Sequence, residues 1–214
     1  MSDKTIANPG LDAHVSHCSR GIRDLVLAST SPYRRALLER LGLPFVAIAP
    51  RAAEAPQTGE PPARTALRLA EAKARSVIAD YPQALIIGSD QVAGCEGEAV
   101  GKPGDHAHAV AMLGRLSGRT VVFHTGLALL DAASGECQTA CIDVTSTFRA
   151  LSGAEIEAYL ARDQPYDCAG AVKAETLGIA LFRAIESHDP TALIGLPLIR
   201  LVDMLLAAGV RVLR

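Results

Sequence analysis

The residues best suited to chemistry in this chain lie between Leu25 and Leu38, LVLASTSPYRRALL, where an apolar run passes straight into three hydroxyls, a proline, an aromatic ring and two adjacent arginines. Leu25 to Ala28 reads as a buried strand. Pro32 reads as the first residue of a helix, because its fixed φ suits that position and its missing N–H is not needed there. Ser31 is then the N-cap, and the helix aims its free N–H groups and positive dipole end at whatever lies above the strand. Ser29, Thr30 and Ser31 add hydroxyl donors, while Arg34 and Arg35 add fixed positive charge in a fork that matches phosphate oxygens. This is the composition of a phosphate-handling turn. The same spacing also fits an ordinary strand-to-helix junction with a solvated arginine pair, and the segment alone does not separate the two.

The run S-x-S-P-x-R-R-x-L-L resembles the signature of the Maf family of nucleotide pyrophosphatases. Further matches follow in the family's order: Ile87-Gly88-Ser89-Asp90-Gln91, Gly101-Lys102-Pro103, Leu116-Ser117-Gly118, Cys168-Ala169-Gly170 and Gly195-Leu196-Pro197. The likeness covers nearly everything from Leu25 onward, and the ordered set is far more specific than any one piece. It implies an α/β protein of the Maf/ITPase-like fold, an elongated mixed β-sheet flanked by helices, with two lobes and an active-site cleft between them. It also implies hydrolysis of a nucleoside triphosphate at the α–β linkage, giving a monophosphate and diphosphate.

Cleaving a phosphoanhydride requires charge neutralisation on the phosphates, a metal ion to organise them and an activated water in line with the leaving group. Asp90 and Glu54 are the candidate carboxylates for a divalent metal, because hard Mg²⁺ or Mn²⁺ takes one or two carboxylates together with phosphate oxygens and water. By resemblance Asp90 is also the proton acceptor. Without it, a helix cap after a strand is the plain alternative. Family members usually carry an acidic residue just before Glu54, where this chain has Ala53, a departure that bears on metal affinity. Arg34, Lys73 and Lys102 match family positions for the triphosphate. A lysine on a helix such as 65–79 is by default a surface lysine, whereas Lys102 sits in the tighter turn Gly101-Lys102-Pro103. Arg35 and Arg149 are auxiliaries at most, with solvated surface as the default.

Three positions divide the family by substrate, and here they are Tyr33, Gln91 and Glu175. The pyrimidine-triphosphate branch typically has arginine, threonine and glutamine there. This chain resembles the branch that hydrolyses 7-methyl-GTP. The chemistry agrees: N7-methylation leaves guanine cationic, and such a ring stacks well on an aromatic face such as Tyr33. Glu175 can accept from guanine N1–H and N2–H₂ together, whereas toward uracil or thymine, with one N–H between two carbonyls, it is repulsive. Tyr33 as a helix-start packing residue is the competing reading. Thr176 stands where this branch commonly has glycine, which bears on the pocket wall. Two rival functions remain at this point: a pyrimidine or modified-pyrimidine triphosphate pyrophosphatase, and a nucleotide-binding regulator of cell division suggested by the family's link to septum formation.

The chain of 214 residues is long enough to bury a substantial core in one domain or two closely packed lobes. Hydrophobic residues at 49% and charged residues at 21% exclude general disorder. A net charge of −2 gives no global field for nucleic acid or an anionic membrane, so any polyanion must meet a local cluster. The five cysteines form no C-x-x-C pair and are expected as reduced thiols. Cys137 and Cys141 could share a strand face, where packing outweighs metal binding. With no leader-like or bilayer-spanning segment evident, a cytoplasmic location is expected. The partner is a nucleoside triphosphate, and the resemblance suggests a homodimer.

The elements that must position these residues follow from periodicity and punctuation. Residues 1–23 read as a flexible extension, in which His14 and His17 belong to a solvated tail, and 24–214 as the catalytic domain. A second strand is expected at Phe45 to Ile48, a Pro-rich loop at Pro50 to Pro62 and a helix at Thr65 to Ala79. The continuous apolar run Leu85 to Gly88 suits a central strand, which would put Asp90 at its carboxyl end. A helix at Asp105 to Leu116 precedes a hairpin of two long strands, Thr120 to Leu130 and Gln138 to Phe148. Ser152 and Glu155 form a capping box for a helix reaching Ala161. Ile179 to Ile185 reads as a strand, Pro197 to Gly209 as the terminal helix and Val210 to Leu213 as an edge strand.

Overall fold

The structure is a computed structural model that describes residues 23–55 and 57–213. The expected extension, with His14, His17 and Cys18, lies outside the described residues except for Arg23. Among the described residues seven strands and five α-helices follow one another as β1 (Leu25–Ala28), α1 (Pro32–Glu39), β2 (Val46–Ile48), α2 (Pro62–Arg75), β3 (Leu85–Cys95), β4 (Glu98–Val100), α3 (His106–Leu116), β5 (Thr120–Asp131), β6 (Cys137–Phe148), α4 (Gly153–Asp163), β7 (Phe182–Glu186) and α5 (Leu198–Ala207), with three short 3₁₀ segments between α4 and α5. The strands form one mixed sheet in the order β2-β1-β3-β5-β6-β7, with β4 added to β3. β1 is parallel to β2 and β3, and every other pairing is antiparallel.

The sheet's pairing creates the cleft. On the edge away from β5, β3 pairs with β1 through Leu85 to Ile87 and with β4 through Ala93 to Cys95. The intervening stretch, Gly88 to Val92, has no strand partner on that side. Separate apolar clusters pack on either side of this gap. One gathers Phe123, Phe148, Leu113 and Leu160 under α3 and α4. The other gathers Leu27, Leu37, Ile87, Leu127 and Leu201 under α1 and α5. These are the two lobes, and the long strands β3, β5 and β6 run through both.

α2 lies across the opposite face on a surface of small residues. Its own Ala66, Ala70 and Ala74 are fully buried against the sheet. Gly88 and Gly126 make the approach feasible, since a Cβ at either would meet the carbonyl oxygen of Ala70 at 2.0 Å or of Ala66 at 2.2 Å. No real side chain tolerates such a contact. The close approach carries Lys73, one turn further along α2, down to the level of Asp90.

Four expectations about elements change. β3 continues through the polar Ser89, Asp90 and Gln91 because β5 pairs with it from Leu85 to Gly94. Asp90 is therefore mid-strand, opposite Gly126, although it still lies just beyond the carboxyl end of β1. The second helix begins at Pro62 and ends at Arg75 rather than spanning 65–79. Leu177–Leu181 forms a 3₁₀ turn, so β7 starts only at Phe182. Val210 to Leu213 forms no strand: Val210 and Val212 pack against the α1/α5 core instead, and the Val210 N–H donates to the Leu205 carbonyl at 2.8 Å. The capping box at Ser152 and Glu155 forms as expected.

Candidate active site

The gap in the sheet opens into a cleft of about 320 Å³ whose walls include Ser29, Ser31, Tyr33, Arg34, Glu54, Lys73, Asp90, Gln91, Lys102 and Glu175. Every candidate residue from the sequence is in that set, brought from six separate stretches of chain. A cleft of this size matches a small-molecule site. Arg35 instead pairs with Glu39 on the surface of α1, and Arg149 is exposed outside the cleft walls.

At the junction of β1 and α1 the Ser31 side chain accepts from the Arg34 N–H, and Pro32 occupies the first helical turn. Ser29 Oγ accepts from the Ser31 N–H at 3.2 Å. The hydroxyls thus shape the turn that presents the helix N-terminus to the cleft. Arg34 is held from the other side: its Nε donates to the Gly195 carbonyl at 2.9 Å. Burial lowers the Arg34 guanidinium below its ordinary pKa, and the negative charges of Asp90 and Glu54 work against that shift.

Lys73 is the centre of the charged cluster. It is only 6% exposed, so the surface-lysine alternative does not hold. Its Nζ contacts Asp90 Oδ1 at 2.6 Å and Glu54 Oε1 at 2.9 Å. A buried ammonium needs such compensation. The hydrogen bond from Lys73, aided by Lys102 and Arg34, holds the Glu54 carboxyl below its usual range against the effect of burial. Ala53 is exposed and Glu54 reaches the cluster without an acidic neighbour. Both carboxylates thus take the Lys73 ammonium as a shared partner through one oxygen each, and the oxygens left over are hard donors of the kind that suit Mg²⁺ or Mn²⁺. Among the described residues one further group, His124, Cys141 and Asp143, brings potential ligand atoms together. It lies outside the cleft walls, and its nitrogen and sulfur donors suit a different class of metal.

The end of the cleft around Tyr33 and Glu175 is built differently. Burial raises the Tyr33 hydroxyl above its ordinary pKa, and its ionisable neighbours are Lys173, Glu175, Cys168 and Asp167. Burial likewise raises Glu175. The loop bearing Glu175 is clasped by the end of α4: Thr176 Oγ1 donates to Asp163 Oδ2 at 2.6 Å, the Gly178 N–H donates to the same oxygen at 3.1 Å, and Lys173 Nζ donates to the Asp163 carbonyl at 2.9 Å. Thr176 therefore ties down the loop from behind and does not line the cleft.

Sequence reasoning missed a backbone scaffold. The Gly195 carbonyl accepts from both Arg34 Nε and Ser89 Oγ, the latter at 2.8 Å. Gln91 Nε2 donates to the carbonyls of Ala192 at 3.0 Å and Leu193 at 2.9 Å, and to Thr125 Oγ1 at 3.0 Å. That nitrogen is fully engaged with the 192–195 loop, which leaves Gln91 Oε1 as its only group for a substrate. Gly195 has φ +113°, and a Cβ there would lie 3.3 Å from Arg34 Nε. Gly195→Ala is expected to displace Arg34 and raise KM for the triphosphate several-fold, and to lower the melting temperature as well, because φ +113° strains any residue with a Cβ; steady-state kinetics beside a thermal melt reads both. Carbonyl acceptors leave no side-chain signal, and only the glycine of Gly195-Leu196-Pro197 hinted at this role.

Comparison with known proteins gives one family and a consistent set of relatives. The family model described as Maf-like protein matches residues 24–208. The chain is 52% identical over 191 residues to the 7-methyl-GTP pyrophosphatase of Albidiferax ferrireducens, covering 89% of this chain and 96% of that one. It is 56% identical over 181 residues to that of Ralstonia nicotianae, with 85% and 93% covered. With the protein of the same name from Methylobacillus flagellatus the identity is 54% over 189 residues, covering 88% and 98%.

Proposed function

The chain belongs to the Maf family, and from that premise we propose that it is a metal-dependent nucleoside triphosphate pyrophosphatase whose substrate is 7-methyl-GTP, hydrolysed to 7-methyl-GMP and diphosphate. The observation that carries this reading is the convergence of Asp90, Lys73, Arg34 and Lys102 with Tyr33 and Glu175 in one cleft. Relatives more than half identical to this chain carry the name of that activity.

In this reading the triphosphate enters with its charge against Arg34, Lys102 and the α1 N-terminus. Glu54 and Asp90 would hold a divalent cation, which would supply charge neutralisation on the phosphate oxygens. Lys73 fixes the Asp90 carboxylate through Oδ1, and of the carboxylate's remaining lone pairs one is open to take the proton of a water aimed at the α-phosphorus. The leaving group is diphosphate, whose developing charge Arg34 and Lys102 offset. Tyr33 stacks on the methylated purine, and Glu175 accepts from its N1–H and N2–H₂. The reading includes a role in clearing modified nucleotides from the cytosol, and a homodimer as the working assembly.

Product analysis tests the reaction type. With Mg²⁺ or Mn²⁺, 7-methyl-GTP is expected to yield diphosphate and 7-methyl-GMP in equal amounts. Release of orthophosphate and a diphosphate nucleotide would contradict attack at the α-phosphorus. Tight nucleotide binding without any release would favour a regulatory binder.

A further inference from the structure

The cleft is electrically divided. At one end Arg34, Lys73 and Lys102 act on Glu54 and Asp90, giving three cations against two carboxylates. At the other end the ionisable neighbours of Tyr33 are Glu175, Asp167, Lys173 and Cys168. Cys168 donates its S–H to Asp167 Oδ1 at 3.4 Å, and burial pushes its thiol up to about 12, so it brings no charge at neutral pH. Lys173 turns its ammonium onto the Asp163 carbonyl at 2.9 Å. Among the described residues neither Glu175 nor Asp167 forms an ion pair. Lys173 keeps its charge and acts on Tyr33 more strongly than either carboxylate does alone, so the two carboxylates, Glu175 and Asp167, leave the base end net negative by one charge.

Only one of those two has a hydrogen-bonding role in reading guanine. Asp167 lies in the turn before Cys168-Ala169-Gly170, exposed at the rim yet part of the cleft wall beside Tyr33. We propose that Asp167 is a second specificity-determining carboxylate, which acts through charge at the mouth of the base end and favours a positively charged purine ring over a neutral one. The inference rests on the 7-methyl-GTP reading above and adds to it a residue that works by field rather than by contact with guanine donors. A rim carboxylate beside Tyr33 attracts the nearby cationic ring of 7-methyl-GTP more than it repels that nucleotide's farther triphosphate, whereas GTP meets the repulsion alone, so its removal moves the two substrates in opposite directions.

The experiment compares wild-type protein, Asp167→Asn and Asp167→Glu in steady-state hydrolysis of 7-methyl-GTP and GTP at low and high ionic strength. For Asp167→Asn the expected result is KM for 7-methyl-GTP raised about two- to five-fold and KM for GTP lowered, the range expected of one solvent-facing charge. Both changes should shrink at high salt, and Asp167→Glu should restore the wild-type preference. A shift of both KM values in the same direction would show that Asp167 merely supports the loop, and no shift in either would equally overturn the assignment. If the wild-type protein itself fails to prefer 7-methyl-GTP over GTP, the underlying substrate reading fails. If it does prefer it and Asp167→Asn leaves the ratio intact, only the role of Asp167 fails.

Discussion

Asp90→Asn is expected to lower kcat for triphosphate hydrolysis by at least about 10³-fold, in the upper part of the range for loss of a general base. The amide cannot accept the water's proton, and it is a poorer ligand for a hard cation. Removing one member of a buried ion pair ordinarily destabilises a protein by about 3–5 kcal/mol. Here the loss is cushioned, because Glu54 keeps its contact with Lys73 Nζ at 2.9 Å. The variant should therefore melt close to the wild type and still bind nucleotide, which calorimetry and equilibrium titration would show. Retained turnover in a folded variant would remove Asp90 from the chemistry.

Glu175→Gln is expected to change the substrate and leave the reaction itself intact. Glutamine offers one acceptor oxygen where the carboxylate offers two, sets an amide donor against the purine's own N–H groups and loses the charge that offsets the methylated ring. Preference for 7-methyl-GTP over UTP or dTTP should fall roughly 10- to 100-fold, following from about 1–3 kcal/mol per bidentate contact. A pH profile provides a second readout. Burial raises the Glu175 pKa above the ordinary 4.5, so its charged form is lost earlier as pH falls than that of a free glutamate. In the wild-type protein the preference should decline on the acid side through that raised pKa, and in Glu175→Gln this component should vanish. An unchanged preference would show that base recognition lies elsewhere.

The parts of this site that could be read in the sequence are those carried by side chains at a strand-to-helix junction. Ser31 caps α1, Pro32 opens it and Arg34 faces the cleft because one-dimensional spacing sets all three. Lys73 was legible as a candidate, but its burial was not. That depends on Gly88 and Gly126, distant in sequence, which let α2 settle onto the sheet. Asp90 was expected at a strand end because the apolar run stops at Gly88. Pairing with β5 carries the strand on through three polar residues, a tertiary effect that overrides local propensity. Val210 to Leu213 shows the reverse: its alternation suggests a strand, yet packing on the α1/α5 core satisfies its valines without a partner strand.

The remaining surprises share one cause, which is that backbone acceptors and loop clasps have no residue-type signature. The Gly195 carbonyl positions Arg34, and the carbonyls of Ala192 and Leu193 claim the Gln91 amide. Thr176, a departure from the family pattern, gains its meaning only from Asp163 at the end of α4. Glu54 reaches Lys73 although Ala53, not an acidic residue, precedes it.

If one cleft joins a cation-lined phosphate end to an acidic, aromatic base end, the two ends together set kcat/KM across a panel of 7-methyl-GTP, GTP, dTTP and UTP in the presence of Mg²⁺ or Mn²⁺. The highest value is expected for 7-methyl-GTP, with GTP behind it and both pyrimidine nucleotides lower still. Faster turnover of dTTP or UTP would contradict it.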